Sequence, residues 1–448
     1  MIFYRIRKHF PIQYNRKVQE MNAKELLERL HQRLVSFDAG ERKAAVIEFK
    51  NQFAGMPEAS MPESEAYNLH CHTFFSFNGY GYSPSYLACW AKAERLFAVG
   101  KIEFDVLDGA EEFLDAARLL GLRAACGVES RVVISEFSDK VINSPGEPGI
   151  AYHLGIGFTS AEIPAAQAAF LNRMKKAASD RTRGIVGRVN PALSPLELDF
   201  DSEVLPLTPA GNATERHVCA AYAAKAAKMF PDEAERAAFW ASKLNIPLED
   251  AKKQIMNTVK LEGTIRSKMM KAGGPGYVKA DPASFPALKA MNEFTIACGA
   301  VPSIAWLDGL SAGEADPDAL LDLHESYGCA LFNLIPDRNW NFADPEVKAK
   351  KVAAMHKMID CCVRRDIPVF VGTEMNAFGQ KLVDTFTEPA LAKYMKVFSE
   401  GAAIVTAHTI LAPQGRGFLS DWAKQQFGSD RKARNAWFAE FGSNNRLG

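Results

Sequence analysis

The apolar positions follow two different periods along the chain. Near the start Leu26, Leu27, Leu30 and Leu34 recur at three- and four-residue spacing, which predicts amphipathic helix over residues 21–55. The stretch "GMPEASMPESEAY" then breaks the pattern with Pro, Ser and Gly. From 68 to about 158, strand-like and helical runs alternate. "AYNLHCH", "VGKIEFDVL", "LRAACGVESRVVI" and "AYHLGIGF" predict strands. "SPSYLACWAKAERL", opened by Ser-Pro, and "GAEEFLDAARLLG", closed by Gly121, predict the helices between them. Residues 160–290 are helical instead, through "EIPAAQAAFLNRMKKAASDRTRGIVGRVN", "ATERHVCAAYAAKAAKMF", "DEAERAAFWASKLN" and "PLEDAKKQIMNTVKLEGTIRSKMMKAG". Alternation then returns. "GAVPSIAWL", "CALFNLIP" and "IPVFVGTEMN" predict strands, with helices around 317–327, 345–365 and 388–400, and "AAIVTAHT" predicts a closing strand.

A strand–helix rhythm of this kind predicts an α/β fold built on a parallel sheet closed as a TIM-like β/α barrel, here interrupted by an inserted helical domain. The expected division is an N-terminal helical extension over 1–66, barrel over 67–160, the insert over 161–294, and the rest of the barrel with C-terminal helices over 295–448. Residues 1–20 are basic and lack the apolar run of a signal peptide; they read as a disordered or mis-started leader ahead of Met21.

Composition narrows the function classes. Formal net charge is zero, which leaves no basic field for nucleic acid. No run of eighteen apolar residues occurs, so no membrane span is expected. The 8 cysteines are scattered apart from the pair Cys361-Cys362, with no C-x-x-C motif, which fits free thiols and a cytoplasmic location.

In β/α barrels the reactive groups sit just past the C-terminal ends of strands. Those ends carry His70 and His72, Asp105, Glu129, His153, Trp306 with Asp308, Asn333 with Asp337 and Arg338, Glu374 with Asn376, and His408. In an H-x-H strand both imidazoles share one face, so His70 and His72 can chelate one ion, while Cys71 points away into the barrel wall. A carboxylate such as Glu129 can bridge two ions that activate water.

These motifs resemble those of the PHP (polymerase and histidinol phosphatase) domain family. "LHCHTFFSFNG" is similar to its H-x-H-T/S motif, "GVES" to its G-[IV]-E motif, and "AYHLGIGF" to its His-Leu-Leu-Gly strand. "GAVPSIAWL" lies where the family has Ala-His-Pro, and "VGTEMNAFGQ" where it has Gly-Ser-Asp-x-His. The resemblance covers roughly 66–160 and 295–410. It implies a distorted seven-stranded PHP-type barrel whose two or three metals hydrolyse phosphate esters. By position it implies His70, His72, Asp105, Glu129 and His153 as metal ligands, with Glu374 a longer carboxylate and Asn376 a weak ligand. The sequence departs from the family at Glu103 and Phe104, at Phe77 or Asn78, and at Trp306. Fewer imidazoles favour manganese, magnesium or iron over zinc, with one to three ions bound.

Other residues extend the site. "IPDRNWN" places Arg338 and Asn339 beyond a strand end, where an arginine can clamp a phosphate. "GNATERHV" reads as a capping box from Asn212 to Glu215, with Arg216 and His217 leaning over the mouth as a lid. Lys381 follows Glu374 and can reach a phosphate, and Phe74, Phe75, Phe77, Tyr80 and Tyr82 can wall a pocket. The expected function is a divalent-metal phosphoesterase using manganese, zinc, iron or magnesium on a small phosphorylated substrate. Asp105 and Arg338 are expected to be catalytic, and His408 a late ligand or general acid. The alternatives are a degenerate barrel that binds a metabolite or scaffolds, and an amidohydrolase- or isomerase-like enzyme.

Overall fold

The computed structural model describes residues 21–279 and 281–448. The expectation for residues 1–20 lies outside them. The predicted N-terminal helix is two helices, α1 (Ala23–Leu34) and α2 (Ala39–Phe53). A capping box starts α1, with Glu25 N–H donating to Asn22 Oδ1 at 3.0 Å. The break comes where Asp38 accepts from Glu41 N–H at 2.7 Å, starting a new helix that the leucine spacing did not reveal.

The barrel then begins. β1 (Asn68–Cys71), α3 (Pro84–Ala93), β2 (Val99–Phe104), α4 (Ala110–Leu120), β3 (Ala124–Val133) and β4 (Ile150–Phe158) follow in order. The helical segment comprises α5 (Ala165–Leu193), α6 (Glu215–Met229), α7 (Glu233–Leu244), α8 (Leu248–Ile255) and α9 (Thr258–Ile265). The chain returns through α10 (Leu288–Ala297), β5 (Val301–Ala305), α11 (Pro317–Ser326), β6 (Leu331–Leu334), α12 (Asp337–Trp340), α13 (Pro345–Arg364) and β7 (Val369–Val371). It ends with α14 (Pro389–Ala392), α15 (Met395–Leu411), α16 (Asp421–Phe427) and α17 (Arg431–Asn444).

The sheet has 7 strands in the order β1 to β7. It nearly closes on itself, because Glu374 N–H donates to His70 O at 2.7 Å and His72 N–H donates to Glu374 O at 2.8 Å. The sheet is mixed and not wholly parallel: β4 runs antiparallel to both β3 and β5. The closing strand expected at "AAIVTAHT" is part of α15. That helix is buried at every position from Gly401 to Thr409, so its apolar run carries no helical period.

Gly372 makes the closure possible. A Cβ there would lie 2.1 Å from His70 Cβ and 2.6 Å from His70 N. Gly372→Ala is therefore expected to force β7 away from β1 and to destabilise the fold by about 3 kcal/mol, read as a lowered denaturation midpoint in urea.

Among the described residues there are two apolar cores. The larger surrounds the barrel; the smaller is built from Val189, Leu193, Tyr222, Trp240, Leu244 and Ile265, among others, all in the helical segment. The helix α5 belongs to both, placing Met174 in the first and Val186, Val189 and Leu193 in the second. Among the described residues no helix is long and apolar enough to cross a membrane.

Candidate metal centre

The strand β1 points His70 inward, and His72 follows two residues on, on the same side. The strand β3 brings Glu129 between them. Its Oε2 lies 3.0 Å from His70 Nε2 and 3.2 Å from His72 Nε2. All three side chains are buried.

The partners behind each ring decide which nitrogen carries the proton. His70 Nδ1 donates to Asn333 Oδ1 at 2.8 Å. Behind His72, the Ser76 hydroxyl donates to Glu103 Oε2, so Ser76 Oγ can only accept from His72 Nδ1–H, at 3.3 Å. Both Nε2 atoms are thereby left as acceptors aimed at a carboxylate oxygen, and His72 Nε2 is buried without a hydrogen-bond partner. Three acceptors converging without a donor is an arrangement that a cation resolves. Outer partners that fix imidazole tautomers in this way are typical of metal-ligating histidines. The donor set of two imidazoles and a carboxylate fits a divalent ion.

Without an ion, a proton on a histidine Nε2 meets the same carboxylate. Burial works to lower the His70 imidazole, but the Glu129 carboxylate outweighs it and raises the group overall. Burial works to raise Glu129, but its bonds and charges from His70 and His72 hold it below the ordinary carboxylate range. The ion-free pair is thus drawn toward a shared proton, which a divalent ion displaces on binding.

The other predicted residues are placed as follows. Asp105 lines the same cavity in a left-handed conformation, φ 57°, and accepts from the Ser130 hydroxyl at 2.6 Å. Glu374, φ 67°, also lines it and accepts from Arg338 and from Asn376 Nδ2, both at 2.6 Å. Both carboxylates flank the triad and stand outside the tight cluster. Asn376 is thus a donor to Glu374. Non-glycine residues at positive φ mark strain of the kind that gathers at functional sites.

Two predicted residues lie elsewhere. His153 stands opposite Ser130 in register, on the outer face of the sheet, where its Nε2 bonds Asn292 Oδ1 at 2.6 Å. Residue parity is the physical reason: Tyr152 and Leu154 pair with the inward Arg131 and Glu129, so the residue between them points out. His408 is on α15, where its Nε2 donates to Gly157 O at 3.1 Å and its Nδ1 accepts from Phe418 N–H at 3.0 Å. Burial pushes it down to about 4, so it is a neutral packing residue and neither a late ligand nor an acid at the mouth.

Above the triad lies a cavity of about 910 Å³, walled by the barrel mouth on one side and the helical segment on the other. Phe104, where the PHP pattern has histidine, stacks on His72 with centroids 4.1 Å apart and lines the cavity. Of the loop aromatics only Phe77 reaches it. Phe74 and Phe75 pack beneath Arg42, and Tyr80 and Tyr82 stack on one another. Arg338 and Arg216 line the wall. Among the described residues Arg216 has no ion-pair partner, and its guanidinium sits 5.5 Å from the Phe77 ring. Asn339 is buried and donates to Leu307 O and Ile335 O, and Lys381 lies over Trp340 at 3.9 Å beside Asp337. His217 accepts from Thr214 N–H at 3.1 Å, so the cap of α6 starts at Thr214, while Asn212 instead holds Phe104 O at 2.8 Å. None of Asn339, His217 and Lys381 lines the cavity.

The sequence reading missed the arginines of α5. Ala178, Arg181, Thr182, Ile185 and Arg188 form one cavity-facing stripe at three- and four-residue spacing. Arg181 comes within 3.8 Å of Asp105. The stripe was legible as a helical face, but nothing local marked it as facing the barrel.

No family model matches the sequence, and no curated protein matches it. Solved structures that match the chain include these two. An amidohydrolase from Chromobacterium violaceum, with bound sulfate and no metal, is 17% identical at a TM-score of 0.49, over 74% of this chain and 96% of that one. A candidate metal-dependent phosphoesterase from Bifidobacterium adolescentis is 16% identical at a TM-score of 0.47, over 75% of this chain and 98% of that one. The fold and the site define an α/β protein with a nearly closed seven-stranded barrel and a buried candidate metal centre.

Proposed function

We propose that this chain is a metal-dependent hydrolase of phosphate esters, of the PHP type that the sequence motifs imply. The observation that carries the proposal is the triad of His70, His72 and Glu129, whose tautomers are fixed so that three acceptors meet. A divalent ion bound there supplies Lewis acidity for water activation and for phosphoryl charge. Glu374 flanks that position as a further oxygen donor, held by Arg338, and Asp105 flanks it, held by Ser130.

The remaining groups act on the substrate. Arg338, Arg216 and Arg181 bring positive charge to the cavity, with guanidinium geometry suited to phosphate oxygens. Asp105 is the carboxyl placed to move a proton to or from the leaving group. The stacked Phe104 keeps water off the rear of His72. The helical segment covers the mouth and sets which esters enter.

The test uses the full-length protein stripped by chelator and reloaded with Mn²⁺, Zn²⁺, Fe²⁺ or Mg²⁺. It is assayed on phosphomonoesters, phosphodiesters and carboxylated amides. Metal-dependent release of phosphate or alcohol is expected, with KM raised about tenfold or more in Arg216→Ala. Turnover of the amides alone moves the protein to the amidohydrolase class. Silence under every metal leaves a binding or scaffolding barrel, and sinks the proposal.

A further inference from the structure

We propose a second metal site on the outer wall of the barrel, held by His153, His324 and Cys329 and suited to a thiophilic ion such as zinc or copper(I). It is independent of the proposed catalytic function and shares no residue with the triad at the mouth.

Three elements bring the ligands together. The strand β4 carries His153 on its outer face, opposite Ser130. The last turn of α11 carries His324, and Cys329 follows after the helix ends, with its backbone N–H donating to His324 O at 3.0 Å. The Cys329 thiol lies 3.5 Å from His324 Nδ1, and the two histidine rings stack with centroids 5.9 Å apart. One donor atom from each of the three residues lies within 4.8 Å of the others. A tetrahedral zinc site with bonds of about 2.0–2.3 Å spaces its ligands by roughly 3.3–3.8 Å, so binding asks for a small inward movement. A helix C-terminus also favours positive charge.

A second observation points to a cation. Asn292 Nδ2 donates to Tyr327 O at 2.9 Å, which turns Asn292 Oδ1 toward His153. That oxygen can only accept, so His153 carries its proton on Nε2. His153 Nδ1 is then a fully buried lone pair with no donor to meet it. Burial disfavours the charged form of all three groups, which keeps both rings neutral and pushes the Cys329 thiol up to about 12, so the ion itself has to displace the thiol proton. On binding, Cys329 loses its thiol proton to solvent and the sulfur–metal bond forms, with no change of oxidation state.

The experiment titrates Co²⁺ into the metal-free, full-length, reduced protein and follows the thiolate-to-cobalt charge-transfer absorption. A thiolate-to-cobalt band is expected in both proteins, the wild type and His72→Ala, saturating at about one equivalent in His72→Ala and only after the triad has also filled, at about two, in the wild type. It should vanish in Cys329→Ser and lose most of its intensity in His324→Gln, with circular dichroism showing that each variant is folded. If Cys329→Ser does not fold, His324→Gln decides alone. No band in the folded wild type, or a band unchanged by these substitutions, overturns the site and leaves a packed cluster of neutral side chains. Because the band is read without turnover and in the His72→Ala background, its absence says nothing against the hydrolase.

Discussion

His72→Ala is expected to lower the affinity for a divalent ion by about 100- to 1,000-fold and to abolish hydrolysis at micromolar metal. Metal sites with four protein ligands are worth about 10–16 kcal/mol, so one ligand carries roughly 3–4 kcal/mol. The imidazole is well prepared for that role. Its Nδ1–H is directed to Ser76, its ring is clamped by Phe104, and its Nε2 faces Glu129 with nothing else to bond. Titration calorimetry with Mn²⁺ reads the effect. A weaker loss, about 10- to 100-fold, is expected for Asn333→Ala, which frees the His70 tautomer and leaves all three ligands in place. The order of the two variants matters: if Asn333→Ala binds worse than His72→Ala, then His72 is not a ligand.

Glu103→Gln has the largest expected effect on stability, about 3–5 kcal/mol. Glu103 is wholly buried on the outer side of β2, 3.4 Å from the equally buried Lys101 Nζ. It also accepts from the Thr73 and Ser76 hydroxyls in the loop that follows β1. Substitution removes the counter-charge of a buried lysine that, among the described residues, has no hydrogen-bond partner. An unpaired buried charge costs far more than the pair contributes, so Lys101→Met/Glu103→Gln should regain most of the loss. Urea unfolding of the two single variants and the double variant measures the coupling. Additive losses would show that Lys101 and Glu103 act separately. The same substitution loosens Ser76, so metal affinity should fall even in the stable double variant.

The alternating period of "NLHCH" was enough to put His70 and His72 on one face, and "GVES" brought in Glu129, because strand parity and strand order are local properties. The helices at Pro84, Ala110, Pro317 and Pro345 were legible for the same reason, through Ser-Pro or Asp-Pro starts or clear apolar stripes. The errors came from properties that are not local. His153 was misplaced because the face a strand residue takes depends on its register with the neighbouring strand, which "AYHLGIGF" does not encode by itself. His408 was misplaced because an entirely buried helix and a buried strand look alike in a short apolar run. Asn339 and Lys381 were near the site in sequence, yet their side chains turn to the loop backbone and to Trp340. Arg181 and Arg188 went unnoticed because a charged helical face reads as solvated until something is found opposite it.

The reversal of β4 also shapes the helix that follows it. It delivers the chain to the end of the barrel away from the mouth, so the next helix has to climb the outside to return. The 29 residues of α5 make that climb, about 43 Å at 1.5 Å per residue. On the way Phe170 stacks on Phe294 beside Phe158, Lys175 pairs with Asp108, and Arg181 draws level with Asp105. The helix is in effect a ruler standing against the barrel, anchored low and read at the top. Arg188 lies about 10 Å further along it than Arg181. The ceiling of the cavity is thereby set in steps of helical rise, and a change in the number of residues between Lys175 and Arg181 would regrade the chamber without touching the triad below.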